Sequence, residues 1–249
     1  MNHSAGTDLP RFRVIDNEMD CDHCEARDRC PGAELDQDQL KKLNSISATR
    51  GPFQAGQTIY RMEDKFKALY VIQKGAVKLE SVSEDGVNMV DGFFFLGDMF
   101  GVDAIGATHY SNDAVALETT WVCELPYEKL EYLCEQIPGL QTRIFKLLAH
   151  QIRQINNTIV HNRYLSAEKR VLMFLEALSE SNVVKKNNDG QMQLPMSKGD
   201  MAHYLGLRPE SLSRALGKLA NEGVIRNNAK KIELLRHRKS FQLAYNNRL

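Results

Sequence analysis

The segment from Ser197 to Leu219 constrains the fold of this chain most strongly, because it has the pattern of a helix-turn-helix. Its first helix is expected to begin at Ser197, and Gly206 permits the sharp turn that follows it. Pro209 then stands in the first turn of a second helix, where its missing N–H group costs nothing. Apolar positions recur at helical spacing in both helices: Met201, Ala202, Leu205, Leu207, Leu212, Leu216 and Leu219. We therefore expect two packed helices joined by a tight turn.

The second of these helices has a polar face that suits the major groove of DNA. Arg214 can donate two parallel hydrogen bonds to guanine, Glu210 can accept one from the amino group of cytosine, and Ser213 can bond either kind of base. Lys218 is better suited to a phosphate contact, which adds affinity without sequence information. The alternative is an ordinary amphipathic helix with a solvated charged face. The tight turn, the proline start and a two-stranded wing predicted over 224–235 favour a DNA reader.

Charge is distributed unevenly, although the formal net charge of the chain is zero. From Arg163 to the C-terminus there are 16 Lys and Arg against 8 Asp and Glu, whereas the part before it has 16 against 24. A basic C-terminal third attached to an acidic N-terminal part is typical of a nucleic-acid module joined to a sensor or partner module. Chance asymmetry is the alternative.

From Gly51 to Pro126 the chain consists of short alternating apolar runs broken by turn residues such as Lys74-Gly75. Six runs have the length and pattern of strands: 57–60, 68–73, 76–83, 87–95, 114–117 and 121–125. Strands this short at this spacing predict an antiparallel sandwich or roll. Short helices are predicted on either side of it, over 36–47 and 127–135.

A long helix is predicted from Leu140 to about Tyr164, where the chain has neither Gly nor Pro. Apolar residues recur along it at alternating spacings of three and four, which is the seam of a coiled coil. The seam residues are Phe145, Leu148, Ile152, Ile155 and Ile159. A helix that packs only on its own domain usually has a wider apolar stripe, so a dimer interface is the favoured interpretation. Another helix is predicted over 166–179.

Three of the five cysteines are clustered as Cys21, Cys24 and Cys30, and Cys123 lies far away in the sequence. Three clustered thiolates and a distant fourth can enclose either tetrahedral zinc or an iron–sulfur cluster, and the spacing does not decide between them. A thiol redox pair formed by Cys21 and Cys24 is a third interpretation, although this pair does not begin the helix of a βαβ unit. Cys134 is expected to be a buried free thiol on a helix.

Residues 1–20 are polar and lack the apolar core of a secretory signal, and the chain has no run of about 18 apolar residues. We therefore expect a cytoplasmic protein without a membrane span. In that reducing compartment the cysteines are not expected to form stable disulfides. Nothing in the sequence resembles a catalytic pocket, so no enzymatic activity is expected.

Taken together, these motifs resemble the Crp/Fnr superfamily, and within it the Fnr-type, oxygen-responsive regulators. The resemblance covers nearly all residues from Cys21 to the predicted wing. Besides the cysteines, the segments that carry it are Gly92-Phe93, Leu96-Gly97-Asp98, Asp103-Ala104-Ile105-Gly106, Ala116-Leu117-Glu118-Thr119, Val122-Cys123-Glu124-Leu125-Pro126, Tyr204-Leu205-Gly206-Leu207 and Glu210-x-x-Ser213-Arg214. Any one of them is a weak signal, but the set is a strong one.

The resemblance implies an α+β fold of four parts. An N-terminal cysteine-bearing segment (1–34) precedes an antiparallel β jelly-roll sensor domain of the cyclic-nucleotide-binding type (35–137). A long dimerisation helix (138–164) then leads to a winged helix-turn-helix DNA-binding domain (165–249).

The same resemblance implies a transcription regulator controlled by an oxygen-labile 4Fe–4S cluster. The implied ligands of the cluster are Cys21, Cys24, Cys30 and Cys123. The active form is expected to be a homodimer that binds palindromic DNA with TTGAT-like half-sites, read by Glu210, Ser213 and Arg214. Contact with RNA polymerase at anaerobic or redox-responsive genes is also implied.

Other members of the superfamily bind cyclic nucleotides and use an arginine to hold the phosphate. In this chain Ser111-Asn112-Asp113 occupies that region, and an aspartate there would repel a phosphate. Cyclic nucleotide binding is therefore not expected.

A further departure from the Fnr-type pattern lies in the long helix. Fnr-type proteins carry an acidic residue there that disfavours pairing when the cluster is absent, and the matching position in this chain is Ile155. Removing a like-charge repulsion and adding an apolar contact would favour a dimer by about 1–3 kcal/mol. We therefore expect this protein to dimerise even without its cluster.

Overall fold

The computed structural model describes residues 20–82, 86, 88–181, 183–187, 190–228 and 231–235. It confirms the predicted α+β fold, in which a β-roll, a long helix and a small helical domain with its own sheet follow one another. Residues 1–19 of the predicted N-terminal segment and residues 236–249 of the predicted DNA-binding domain lie outside the described residues. Within the described ranges, no helix is both long and apolar enough to cross a bilayer.

The first helix, α1 (Gln37–Ile46), is present where the sequence predicts it. Asp36 forms a capping box, in which its carboxylate accepts a hydrogen bond from the Gln39 backbone N–H at 2.9 Å and the Gln39 side chain accepts one in return. Leu40 and Leu43 are buried on one face, and they pack beneath the cysteine-bearing segment. The cap thus fixes the helix that forms one wall of the cysteine site.

Eight strands form the roll: β1 (Ala48–Phe53), β2 (Thr58–Tyr60), β3 (Ala68–Lys74), β4 (Val77–Val82), β5 (Asn88–Phe94), β6 (Met99–Phe100), β7 (Asp113–Ala116) and β8 (Thr120–Pro126). They make two four-stranded antiparallel sheets, in the orders β1-β8-β3-β6 and β2-β7-β4-β5. A 3-10 turn, Val102–Ala104, follows β6. All six predicted strands are present.

The prediction missed β1 and β6. The sequence of β1 contains Gly51-Pro52, which weakens any strand pattern, and its register with β8 shifts between Arg50 and Phe53. Strand β6 has only two residues. Both exist because they pair with central strands that are distant in sequence, a property that alternation cannot reveal.

Helix α2 (Tyr127–Gln136) leads into the long helix α3 (Pro138–Tyr164), which begins with proline in its first turn. The two halves of α3 differ. Leu140 and Ile144 in its first turns are buried against the roll, α1 and α2. Further along, the helix is mostly exposed, as described below for its seam residues.

The C-terminal part consists of α4 (Ala167–Glu180), β9 (Met192–Gln193), α5 (Lys198–Tyr204), α6 (Pro209–Asn221), β10 (Ile225–Asn228) and β11 (Lys231–Leu234). Side-chain caps begin two of its helices: Ser166 caps α4, and Ser197 caps α5 as predicted. Strands β10 and β11 form the predicted wing, and β9 joins them in a three-stranded sheet.

The C-terminal domain packs directly on the roll of the same chain. Lys78 of β4 lies 2.8 Å from the Asp200 carboxylate of α5 and 2.7 Å from that of Glu80. Beside this ion pair, the rings of Phe93 on β5 and Tyr204 on α5 have centroids 5.1 Å apart, and Phe174 of α4 completes an aromatic cluster. These contacts determine where the helix-turn-helix stands relative to the roll.

Candidate functional site

The four predicted cluster ligands line one cavity. Cys21, Cys24 and Cys30 lie in the turns that precede α1, and Cys123 projects from β8. Apolar side chains complete much of the lining, chiefly Leu40 and others of α1, β3 and β8. The fold therefore brings together thiols that are about ninety residues apart in sequence.

Backbone hydrogen bonds hold the cysteine-bearing turns in place and reach one of the sulfur atoms. The Gly32 N–H donates a hydrogen bond to Cys30 Sγ at 3.3 Å, and the Cys21 N–H is held by Asn44 Oδ1 of α1 at 3.3 Å. Gly32 has no side chain where a Cβ would come within 3.0 Å of Leu40 Cδ1. Glycine thus lets the turn approach α1 closely enough to aim its N–H at sulfur, an arrangement that stabilises a thiolate.

Burial raises the pKa of every thiol in the cavity. For Cys21 burial and the nearby Cys30 and Cys24 raise the pKa to about 12. The pKa of Cys123 is also raised, chiefly by burial, although a hydrogen bond with Ser47 acts in the opposite direction. Thiols in such surroundings become thiolates at neutral pH only when a cation binds them.

The thiols fit a metal group in type, number and shared cavity. In the part of the chain that the structure describes, however, no three His, Cys, Asp or Glu side chains already surround one point as the ligands of a single metal ion do, so the four thiols share a cavity but would have to turn toward a bound group. Cys134 of α2 is half-buried and packs against the same apolar core without lining the cavity. This separates it from the other four cysteines.

Sequence reasoning missed a set of contacts between α3 and the cysteine segment. Arg143 of α3 donates hydrogen bonds to the backbone oxygens of Arg29 (3.2 Å) and Cys30 (3.4 Å). Its guanidinium also lies 3.3 Å from the Glu34 carboxylate, which Lys146 approaches to 3.1 Å. No sequence pattern marks these residues, since their partners are more than a hundred positions away.

The predicted seam of α3 is an exposed apolar stripe. Phe145 is 60% exposed, Ile152 58%, Ile155 57% and Ile159 44%. Leu148, by contrast, packs partly against the core beneath the cysteine cavity. A row of large apolar side chains on one helix face is the surface that a second helix would cover.

Helix α6 presents its predicted polar face to solvent. Leu212, Leu216 and Leu219 are buried as predicted, and Ala215 joins them. The residues of the opposite face are all exposed: Glu210, Ser213, Arg214, Gly217 and Lys218. Lys218 Nζ also lies 3.1 Å from the Glu168 carboxylate of α4, a contact the sequence did not reveal.

The tight turn before α6 is held by a residue of another helix. Gly206 adopts φ +61°, the left-handed conformation that favours glycine. Arg170 of α4 donates to the Leu205 backbone oxygen at 3.2 Å and to that of Leu165 at 2.9 Å. The reader is thus fixed both to its own helix pair and to the end of α3.

Aromatic side chains fill the interior of the roll. The rings of Tyr60 and Tyr110 are stacked with centroids 3.8 Å apart, and Phe100 and Tyr70 extend the cluster. The Tyr60 hydroxyl donates to Asn112 Oδ1 at 3.2 Å. Asn112 belongs to the segment, Ser111-Asn112-Asp113, that stands where other members of the superfamily hold a nucleotide phosphate. In this chain Asn112 is instead bonded within the roll.

Two family models match the chain. A cyclic nucleotide-binding domain matches residues 50–137, and a Crp-like helix-turn-helix domain matches residues 169–239. The chain is 32% identical over 242 residues to the fumarate and nitrate reduction regulatory protein of Escherichia coli K12, covering 95% of this chain and 97% of that protein. To the protein of the same name from Salmonella typhimurium it is 33% identical, covering 87% of this chain and 89% of that protein.

Among solved structures, the chain is similar to FixK2 from Bradyrhizobium japonicum. The TM-score is 0.67 at 25% sequence identity, covering 77% of this chain and 92% of that one. It is also similar to a putative cAMP-binding regulatory protein from Silicibacter pomeroyi, with a TM-score of 0.60 at 25% identity over 85% of this chain and 92% of that one.

Proposed function

Because this chain belongs to the Crp/Fnr family of DNA-binding transcription regulators, which are not enzymes, we propose that an iron–sulfur site controls when it regulates transcription. The observation that carries the proposal is the meeting of Cys21, Cys24, Cys30 and Cys123 at one cavity. Three come from one turn-rich segment and the fourth from a strand of the roll, so a group bound there ties the two together.

A 4Fe–4S cluster suits this donor set. Four thiols match the number of cysteine ligands such a cluster takes, and N–H groups directed at sulfur tune and stabilise it. Such a cluster, when bound, supplies sensitivity to oxygen. Cys21, Cys24, Cys30 and Cys123 would hold it, and the apolar lining of the cavity would limit the access of water.

A structural zinc ion or a thiol redox switch is the competing assignment, because four thiols at one cavity can also hold zinc. Anaerobic purification distinguishes them through the bound metal, the sulfide content and the absorption spectrum. A brown protein that contains iron and sulfide and bleaches in air supports the cluster. A colourless protein with bound zinc would overturn it.

On the DNA side, we propose that Glu210, Ser213 and Arg214 read the base edges of a palindromic site with TTGAT-like half-sites, and that Lys218 contacts phosphate. Their exposure on one face of α6 supports this. Two chains would pair through the seam of α3, so that their two copies of α6 reach the two half-sites of one operator. The seam residues are Phe145, Leu148, Ile152, Ile155 and Ile159. Contact with RNA polymerase and a cytoplasmic location belong to the same proposal.

The apolar side chain of Ile155, more than half exposed in a single chain, supports a dimer that forms without the cluster. Sedimentation of the cluster-free protein tests this, and a monomer at micromolar concentration would contradict it.

We also propose that the roll binds no cyclic nucleotide, since aromatic rings occupy its interior and Asn112 is bonded to Tyr60. Calorimetric titration with cAMP and cGMP should give no binding heat.

The decisive experiment measures DNA affinity, iron and sulfide on one anaerobic preparation before and after exposure to air. We expect the protein to bind a palindromic duplex tightly before exposure to air, and to lose both its cluster and its affinity for the duplex afterwards. Equal affinity before and after would refute control by the cluster.

A further inference from the structure

We infer that Arg29 couples the cysteine site directly to the DNA-reading domain of the same chain, by holding the end of α4. This inference rests on the proposed function, and it names the route by which occupancy of the cysteine site would reach the reader. Arg29 acts here as a positioning residue and touches neither the sulfur ligands nor DNA.

The contact itself spans most of the chain. The Arg29 guanidinium donates a hydrogen bond to the Ser181 backbone oxygen at 2.9 Å, across 152 positions of sequence. Ser181 is the C-cap of α4, the first helix of the DNA-reading domain. A cysteine-bearing turn and the reading domain are therefore in direct contact within one chain.

The chemistry of the helix end favours a cation at this place. The last carbonyl groups of a helix have no partner inside it, and they form the negative end of the helix dipole. The last turn of α4 contains no basic residue of its own. From outside the helix, Lys186 Nζ donates to the Ser179 backbone oxygen at 2.7 Å, and Arg29 adds a second positive charge and donor at the Ser181 oxygen, this one from the cysteine segment.

The path of the Arg29 side chain is also determined by the roll. Gly97, in the turn between β5 and β6, has φ +84°, and a Cβ added there would collide with Arg29 Cβ. The Gly97 N–H donates to the Ile72 backbone oxygen at 2.9 Å, so this turn is anchored to β3. The aliphatic part of the Arg29 side chain thus packs over Gly97, whose position is fixed, and this contact directs the guanidinium toward α4.

The position of Arg29 depends on the cysteines because it immediately precedes Cys30. Its backbone N–H, like that of Cys30, donates to the Ala26 backbone oxygen at 3.0 Å, and Ala26 is fully buried two residues after Cys24. Arg143 of α3 holds the Arg29 backbone oxygen on the other side. A group that binds Cys24 and Cys30 together fixes the short segment that carries Arg29.

This route does not require dimerisation to change. With Ile155 in the seam, the two chains are expected to stay paired, so the cluster must act on something other than pairing. The domain contacts through Lys78 and Phe93 leave the reading domain docked on the roll, and Arg29 adds a contact that comes from the cysteine segment. The switch then acts through the orientation of each reader.

The test compares three variants with the wild-type full-length protein. Each protein is prepared anaerobically and measured twice, first with its cluster bound and then after the cluster has been removed. Arg29→Met keeps the stem over Gly97 and removes the charge and the donors. Arg29→Lys keeps the charge and should rescue in part. Lys41→Met is the matched control, because Lys41 lies on the neighbouring helix α1, does not line the cysteine cavity and pairs locally with Asp38 at 3.9 Å.

The measurements are iron and sulfide per chain, the sedimentation coefficient, and affinity for a duplex with two TTGAT half-sites. We expect loaded Arg29→Met to keep its cluster and its dimer but to bind DNA about tenfold more weakly, approaching the cluster-free protein. Hydrogen exchange of the backbone around the end of α4 should be faster in loaded Arg29→Met than in loaded wild type. Lys41→Met should match the wild type throughout.

The failures can be told apart. If the wild-type protein takes up no iron, or if its affinity for DNA is the same before and after exposure to air, the proposed function fails and this inference fails with it. If the wild type responds to air and loaded Arg29→Met binds DNA as tightly as the wild type, only the inference is overturned. Loss of iron in Arg29→Met also overturns it, because Arg29 would then act on the cluster site itself.

Discussion

The DNA reader and the cysteine site are built in opposite ways. The reader is a short, continuous stretch in which α5, Gly206 and α6 follow one another, and its working side chains point into solvent. The cysteine site joins residues 21–30 to Cys123 across α1 and β8, and its thiols face a largely apolar cavity. A locally encoded, exposed surface suits recognition of a ligand as large as DNA, whereas a site assembled from distant segments can transmit its state to the whole fold.

The largest effect should come from removing Cys123, the one proposed cluster ligand that the roll contributes. Cys123→Ala leaves three thiols from a single segment, so iron should fall from about four to below one per chain. Metal analysis and the absorption spectrum of anaerobic protein measure this. Cys134→Ala is the control, and it should retain full iron because Cys134 does not line the cavity. Iron loss in the control, with retention in Cys123→Ala, would reverse the assignment of the fourth ligand.

On the reader, the largest effect should come from Arg214→Ala. Loss of two parallel hydrogen bonds to guanine should weaken binding by about 1–3 kcal/mol per half-site and relax the preference at that base pair. Fluorescence anisotropy with the TTGAT operator and with an operator lacking that guanine measures both effects. The two operators should bind the variant almost equally. A variant that still discriminates between them would remove Arg214 from base reading.

The seam of α3 connects the two regions, and Ile155→Glu tests it. Placing like charges opposite each other and removing an apolar contact should weaken the dimer by about 1–3 kcal/mol. Sedimentation over a range of concentrations measures the dissociation constant in loaded and cluster-free protein. Asn157→Glu adds the same charge two positions on, at an exposed residue on the face opposite the seam, and should change little. Equal effects of both variants would mean that net charge, and not the seam, controls pairing.

The smallest effect is expected for Lys218→Met. The Lys218–Glu168 pair is exposed at the lysine, where water and salt screen it, so its loss should change the free energy of unfolding very little. DNA affinity should fall uniformly across sequences, and its dependence on salt should lose about one unit of slope. Glu168→Gln is informative here, since it frees Lys218 for phosphate and should not weaken binding. An unchanged salt slope in Lys218→Met would show that this lysine serves only its contact with α4.

Some features could be predicted because they are written in short patterns. Helix caps at Asp36, Ser166 and Ser197 and the proline at 209 mark helix starts by local chemistry, and each helix begins there. Alternating apolar runs bounded by glycine located six strands. Strand β1 was not predicted because Gly51-Pro52 interrupts its alternating pattern. It is stabilised by pairing with β8, which is distant in sequence.

The sequence by itself determined the reader, the seam and the identities of the thiols, because helical periodicity, turn chemistry and side-chain type act over a few residues. Only the tertiary structure decided that Cys123 meets the other three cysteines, that Arg143 binds the cysteine segment, and that Arg29 reaches Ser181. Such contacts depend on the packing of whole elements against one another. The free energy that holds them comes from burial and hydrogen bonds between segments that no local pattern records.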